Sequence, residues 1–263
     1  MSGPVCFWHH AADPFFNMAF DDAMLVQVLR RPQSLFLRLY TWKQGSITIG
    51  MNQKPEKAVF LDRLGGTPMI RRSTGGRAVY HDVSELTYSM ALNAESVFSP
   101  DRGASPSAIY LKLAEGLQLF LSGLGVSTQV VRRSAGDARK AVGQSVKSCF
   151  ASRARYELVA GNVKVLASAQ RQIGAGVLQH GSIKLHGVVS HPALPDLPLG
   201  CSQAAQPLGR SDLEGLARVF IGAMSGALGA RDFSLSDSPD PFPGLPERLR
   251  RLRENPLAKR VLY

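Results

Sequence analysis

The chain has 263 residues, of which 44% are hydrophobic, with 31 Lys and Arg against 20 Asp and Glu for a formal net charge of +11. That length admits one large domain or two small ones and supplies a full core. No apolar run approaches the roughly 18 residues that span a bilayer, and the amino terminus lacks a basic segment followed by an apolar signal core, so the expectation is a cytoplasmic globular protein without a membrane role. Cys6, Cys149 and Cys201 are widely spaced and odd in number, which suggests neither a disulfide framework nor a thiolate zinc site. The positive charge favours an acidic partner, either nucleic acid or an acidic protein. It is spread over Arg30-Arg31, Arg71-Arg72, Arg132-Arg133, Lys147 and the tail rather than gathered on one element with stacking aromatics, which disfavours nucleic acid.

Asp13-Pro14 reads as an N-cap and first-turn proline, opening a helix to about Arg31 with Met18, Leu25 and Leu29 on one face and Asp22 on the same stripe. Strand-like runs at Ser34 to Trp42 and Ser46 to Met51, joined by Lys43-Gln44-Gly45, predict a hairpin. Further strands are expected near Pro68 to Ser73, Ala78 to Tyr80 and Glu85 to Leu92. Ser105-Pro106 starts a helix with Ile109, Leu113, Leu117, Phe120 and Leu124 at helical spacing, ended by Gly125. A strand from Ser127 to Arg133 precedes a long polar loop, Ser134 to Ser148. Strands at Arg155 to Ala160 and Val163 to Gln170 meet at a Gly161-Asn162 turn, and Val177 to Leu185 extends the antiparallel meander. Ser211 and Glu214 suggest a capping box for a third helix carrying Leu213, Ala217, Phe220, Met224 and Leu228 and closed by Gly229. Asp232 to Pro246, with four prolines from Pro239 on, forms a connector to a short basic helix with Arg248, Arg250, Arg251 and Arg253, more in keeping with a solvated face than a binding site. The sum is an α+β domain with helices packed on a largely antiparallel or mixed sheet.

Between Met69 and Met90, Gly75 and Gly76 are bracketed by Arg71, Arg72 and Arg77 and followed by His81-Asp82. Two readings stand: a site for an anionic or carbonyl-bearing ligand, or an ordinary Gly-Gly turn with solvated arginines. Cys149 follows the long loop with Lys147 beside it, and is either a reactive thiol or a small buried hydrophobe. Lys164 alternates with Val163 and Val165, so it faces either solvent or a pocket wall. His81-Asp82 and Gln179-His180-Gly181-Ser182 lie too far apart in sequence to suggest a metal site. Neither a nucleophile elbow nor a phosphate loop occurs.

Several blocks recur in a specific order: Asn17-Met18-Ala19 with Asp21-Asp22, Ser46 to Gly50, Arg71 to Asp82, Gly161 to Gln170, and Gln179 to Ile183. Together, over about residues 8 to 230, they resemble the lipoate-protein ligase and octanoyltransferase superfamily, whose cofactor-transferase fold is shared with biotin-protein ligase. Ser148-Cys149-Phe150 and Tyr156-Glu157-Leu158 are most similar to its cysteine-dependent octanoyltransferases, while Arg77 stands where ATP-using ligases often carry a third glycine. The resemblance implies a catalytic domain at 1–230, with 231–263 a Pro-rich connector and basic helix of the same domain. It implies that Cys149 takes an octanoyl group from octanoyl-acyl carrier protein as a thioester, and that a lysine of a lipoyl domain or glycine cleavage H-like protein then receives it. Lys164 would orient the acyl carbonyl and exchange protons, and backbone N–H groups near Gly75-Gly76 or Ser168-Ala169 would stabilise the oxyanion. Arg72, Gly75, Gly76, Arg77, His81, Ser168, Ala169, His180 and Gly181 would line the substrate site of a monomer without cofactor or metal. The alternatives are an ATP-dependent lipoate-protein ligase, an amidotransferase between lipoyl domains, and a non-enzymatic, basic nucleic-acid-binding module.

Overall fold

A computed structural model describes residues 3–97, 105–131, 158–161, 163–185, 189–194 and 208–259. The strands are β1 (Val5–Ala12), β2 (Phe36–Trp42), β3 (Ser46–Ile49), β4 (Met69–Arg71), β5 (Val79–His81), β6 (Leu86–Asn93), β7 (Gln129–Val130), β8 (Leu158–Ala160), β9 (Val163–Ile173), β10 (Gly176–Ile183) and β11 (Ser234–Ser236). The helices are α1 (Pro14–Arg30), α2 (Pro55–Ala58), α3 (Ala94–Val97), α4 (Pro106–Gly123), α5 (Arg210–Leu228) and α6 (Leu245–Glu254). An eight-stranded sheet runs β11-β1-β2-β6-β10-β9-β8-β7, and a three-stranded sheet runs β4-β3-β5. The architecture is the expected α+β class with a mixed sheet.

Each face of the large sheet carries a helical layer. Leu37, Leu39, Leu86, Met90 and Leu166 pack with α4 and α5 residues such as Ile109, Leu113, Phe120, Leu213 and Phe220. The periodic positions read from the sequence are thus the buried stripes of both helices. On the other face, Phe7, Phe36, Tyr40 and Leu178 meet Met18, Phe20, Met24 and Leu25 of α1, together with Leu245 and Leu252 of α6. α1 has buried residues on nearly every side, which explains why a single stripe described it poorly. Its start is as expected, with Asp13 accepting from the Phe15 and Phe16 N–H groups.

Two local expectations are corrected. β2 and β3 do not form a hairpin: β2 lies between β1 and β6 in the large sheet, and β3 between β4 and β5 in the small one. β2 is buried at all its positions, so it needs sheet neighbours on both sides, and the Lys43–Gly45 bend hands the chain from one sheet to the other. The α5 cap is not Ser211 with Glu214; the helix starts earlier, and the Gly209 N–H donates to the Asp212 carboxylate at 3.1 Å. The β7-β8-β9-β10 run is the antiparallel meander expected there, while elsewhere β1 pairs in parallel with both β2 and β11, and β3 with β4. β1 and β11 lie outside the strands expected from the sequence. The Pro-rich connector holds β11 and also Phe242, which packs edge-on against Phe7, Phe20 and Phe36. On α6, Arg250 and Arg251 are exposed and paired with Glu247, as the solvated-face reading expects.

His9 ties β1 to β2 and to the tail. Its Nε2–H donates to the Ser238 carbonyl at 3.1 Å, and its Nδ1 accepts from Arg38 Nε at 3.0 Å, so the ring is neutral. Burial, reinforced by the Arg38 charge, lowers its pKa from 6.5 to about 3. The unfolded chain therefore takes up a proton below pH 6.5 that the folded chain refuses, and stability falls as pH drops toward 3 by about 1.4 kcal/mol per unit. Thermal midpoints recorded from pH 7 to 4 should fall more steeply for the native chain than for His9→Gln; equal slopes would show that His9 does not titrate in this way.

Candidate active site

A cavity opens where the two sheets meet, lined by Met18 of α1, Tyr40 of β2, Thr48 of β3, Val79 and His81 of β5, Thr87 of β6, the Ala167–Ala169 stretch of β9, His180–Ser182 of β10, and Arg72. Arg72, His81, Ser168, Ala169, His180 and Gly181, all singled out in the sequence, therefore converge there. Strand register brings part of this about. Ala169 pairs with His180, and Ala167 with Ser182, so each pair shares a face of the sheet.

Two buried carboxylates stand behind the two histidines. Asp21 accepts from His180 Nδ1 at 2.9 Å, Arg38 Nη1 at 2.9 Å, Ser89 Oγ at 2.7 Å and Tyr40 OH at 3.1 Å. Burial alone would raise the Asp21 carboxyl, but the His180 bond, the Arg38 charge and Ser89 outweigh it and hold it below the ordinary carboxylate range. Glu85 accepts from His81 Nδ1 at 2.7 Å, Ser182 Oγ at 2.5 Å and Thr87 Oγ1 at 2.7 Å, and it pairs with Lys184. Burial opposes ionisation of Glu85 as well, yet Lys184 and His81 bring it to about 2. His81 is itself lowered, by burial first and by Lys184 and Arg72 in addition, against the pull of Glu85. Carboxylates only accept, so the Nδ1 of each ring carries a proton. Thr48 Oγ1 lies 2.8 Å from His81 Nε2, and Thr74 Oγ1 lies 2.7 Å from His180 Nε2. Trp42 stacks on His81 at 4.1 Å.

Arg71 and Arg72 are not the solvated side chains of an ordinary turn. Arg72 is buried and donates to the Gly75 carbonyl at 2.6 Å, the Arg77 carbonyl at 2.7 Å and the Thr48 carbonyl at 3.2 Å. Arg71 donates to the carbonyls of Gly50, Met51, Gln53 and Leu257. The Arg72 guanidinium thus holds the backbone of the Gly-Gly turn and that of Arg71 the segment that follows β3, while Arg77 is exposed. Gly75 and Gly76 sit beside the cavity: a Cβ on Gly76 would lie 3.8 Å from Ala169 Cβ and 2.8 Å from Arg72 Nη2. Gly50, a motif residue given no role from sequence, touches the Gly75-Gly76 backbone directly; a Cβ there would lie 2.1 Å from the Gly76 carbonyl oxygen.

Ser168 and Gly181 also have neighbours away from the cavity. The Ser168 hydroxyl is 2.6 Å from Tyr88 OH, and a Cβ on Gly181 would meet Tyr88 at 2.7 Å. Lys164 lies on β9 opposite Val159, 4% exposed, whereas Val163 beside it is 39% exposed. The lysine is therefore turned inward and not to solvent, although it is not among the residues that line the cavity. Cys149, Cys201, Asn162 and the Ser134 to Ser148 stretch lie outside the described residues. Among the described residues no group of three or more His, Cys, Asp or Glu side chains is placed to hold a metal, and no helix is long and apolar enough to cross a membrane.

Sequence reasoning gave no role to Asp21, Arg38, Thr48, Thr74 or Glu85, although Asp21, Thr48 and Thr74 lie within the blocks that carry the resemblance. Only Glu85 carried a local signal, being a carboxylate four residues after His81 at the start of a strand.

The family model of the lipoyl protein ligase A/B catalytic domain matches residues 13–191. Octanoyltransferase LipM of Macrococcus caseolyticus is 36% identical over 177 residues, 66% of this chain and 63% of the relative. LipM of Moorella thermoacetica is 36% identical over 66% of this chain and 62% of its own length, and LipM of Staphylococcus aureus 34% over 65% and 62%. The match thus spans less than two thirds of these relatives' length. Among solved structures, the putative lipoate protein ligase Ta0514 of T. acidophilum with bound lipoic acid aligns at TM-score 0.67 and 18% identity, covering 97% of this chain and 95% of that one. Lipoate-protein ligase A bound with ATP aligns at TM-score 0.65 and 17% identity, over 97% and 95% of the two chains. At such identities the likeness is one of fold.

Proposed function

Because the chain belongs to the lipoyl protein ligase A/B catalytic-domain family, we propose that it is an octanoyltransferase of lipoate biosynthesis, taking octanoyl from octanoyl-acyl carrier protein onto Cys149 and passing it to a lysine of a lipoyl domain. The observation that carries this reading is the 36% identity to LipM octanoyltransferases. In the first half-reaction the Cys149 thiolate attacks the donor thioester, its C–S bond breaks and the carrier's thiolate leaves. In the second, the acceptor amine attacks the new thioester, the C–S bond to Cys149 breaks, and the proton lost by the nitrogen balances the thiolate released, giving an amide and free Cys149. Exchange between thioesters is near balanced, so no ATP is required. The 1–230 stretch forms the catalytic domain, and 231–263 belongs with it.

Lys164 orients the acyl carbonyl in this scheme. Its burial supports the role, as does the register shift between Leu158 and Val159: a bulge interrupts the alternation of β9 and removes Lys164 from the apolar face that Leu166 occupies. Backbone N–H groups near Gly75-Gly76 or Ser168-Ala169 receive the oxyanion. Met18, Val79, Ala167 and Ala169 offer the acyl chain apolar surface, at about 0.8 kcal/mol per buried methylene. The net charge of +11 steers acidic carrier and acceptor domains toward the site.

Intact-mass measurement after mixing with octanoyl-acyl carrier protein, without ATP, should show one octanoyl adduct that Cys149→Ala abolishes. No adduct, or an adduct that survives the substitution, would remove the basis for this reading.

A further inference from the structure

The polar side chains that line the cavity are engaged by the wall behind them. Glu85 and Asp21 are buried and are not among the lining residues, yet five lining side chains donate to them. His81, Thr87 and Ser182 donate to Glu85 at 2.7, 2.7 and 2.5 Å, and Thr87 also accepts from Trp42 Nε1 at 2.9 Å. Tyr40 and His180 donate to Asp21 at 3.1 and 2.9 Å. Arg72 gives its N–H groups to the Gly75, Arg77 and Thr48 carbonyls and to the Thr48 hydroxyl, which also bonds His81 Nε2. The Ser168 hydroxyl meets that of Tyr88. Among the described residues, each polar side chain of the lining is thus already partnered. A carboxylate accepts and never donates, so it draws hydroxyl and imidazole protons out of the wall and leaves carbon to face the cavity beside Met18, Val79 and Ala167.

We propose that Glu85, with Asp21 doing the same for Tyr40 and His180, sets the cavity's selectivity for an unsubstituted hydrocarbon chain: by holding the Thr87, Ser182 and His81 protons it leaves an oxo group on the chain without a side-chain donor. This deepens the octanoyltransferase reading and rests on it for the identity of the chain. Acyl chains that differ by one carbonyl carry the same thioester, so the reacting end does not tell them apart. The wall does. An oxygen buried without a donor loses the hydrogen bond it had in water, whereas a methyl group in its place gains from burial. Glu85 is a positioning residue, acting through side chains of both sheets: His81 stands on β5, Thr87 on β6 and Ser182 on β10. Lys184 pairs with Glu85, so the carboxylate is compensated from behind the wall.

The test compares two neutral chains of equal length and nearly equal bulk, 7-methyloctanamide and 7-oxooctanamide, which differ in one methyl group against one oxygen. Native protein labelled at its methionine methyls is titrated with each, and the Met18 resonance reports occupancy of the cavity. The methyl chain should bind about ten- to a hundredfold more tightly. In Glu85→Gln the Thr87 and Ser182 hydroxyls lose their carboxylate, so the ratio should narrow by about threefold or more, through better binding of the oxo chain. Equal affinities in the native protein, no Met18 shift with either chain, or a Glu85→Gln that keeps the ratio by weakening both chains alike overturns the proposal. Should the single variant not fold, Glu85→Gln with Lys184→Met removes both charges of the buried pair and is read in the same way. Uptake from octanoyl-acyl carrier protein is measured separately by intact mass. Expected ratios without uptake would end the octanoyltransferase reading and leave the selectivity of the cavity standing, whereas uptake without the ratios would end this proposal alone.

Discussion

Arg38→Met should lower folding stability by about 3–5 kcal/mol, the range for leaving a buried charge without its partner. Arg38 and Asp21 are both essentially inaccessible, and the guanidinium supplies Asp21 with an ion pair at 2.9 Å. It also donates to the Asn17 carbonyl at 3.1 Å and the Asn17 side-chain oxygen at 2.7 Å, and lies over the Tyr40 ring at 4.0 Å. Methionine would fill most of the volume and satisfy none of these acceptors, so the loss is electrostatic and polar rather than a cavity. The double variant Arg38→Met with Asp21→Asn should recover part of the loss, because the uncompensated charge is then gone. Denaturant unfolding of the three proteins measures this, and a single-variant loss below about 1 kcal/mol would contradict the assigned coupling.

Gly50→Ala should be the most damaging one-methyl change near the cavity. A Cβ 2.1 Å from the Gly76 carbonyl oxygen, with the Gly75 and Gly76 carbonyl carbons at about 3 Å, meets backbone that cannot rotate away. The turn held by Arg72 would have to move, and with it Thr74 and the His180 contact. A shift near 1 Å at such a site is enough to cost about a hundredfold in turnover, so acyl transfer should fall by that order while far-ultraviolet dichroism stays native. Gly222→Ala on the exposed side of α5 is the control: nothing lies within 4 Å of its Cβ, and activity should change less than about twofold. If Gly222→Ala were as harmful as Gly50→Ala, backbone contact at Gly50 would not be the cause.

Much of the fold was legible because its signals are local. Ile109, Leu113 and Phe120 recur at helical spacing and become the buried stripe of α4; Leu213, Phe220 and Met224 do the same for α5. Strand sites were readable from β-branched runs, but their partners were not. Gly45 gives the same bend whether the chain turns back beside β2 or passes into the second sheet. β1 and β11 pair in parallel across more than two hundred residues, a relation no short window contains. Asp22 drew notice as a carboxylate on an apolar stripe, yet Asp21 is the one that meets His180, because α1 is buried nearly all round and a single stripe does not single out one residue.

The site divides in the same way. Its residue types and their order are properties of the chain, and they suffice for the family and for the convergence of Arg72, His81, Ser168, Ala169, His180 and Gly181 on one cavity. What each residue bonds to was decided only in three dimensions. Arg71 and Arg72 read either as charges at a ligand site or as solvated side chains, and only the fold shows that Arg71 donates to the Gly50 carbonyl and Arg72 to the Gly75 carbonyl. His180 meets Asp21 across 159 positions, and Lys184 meets Glu85 across 99. A sequence records which donors and acceptors exist, but hydrogen bonds and ion pairs act over about 3 Å. Only packing and strand register determine which groups come that close.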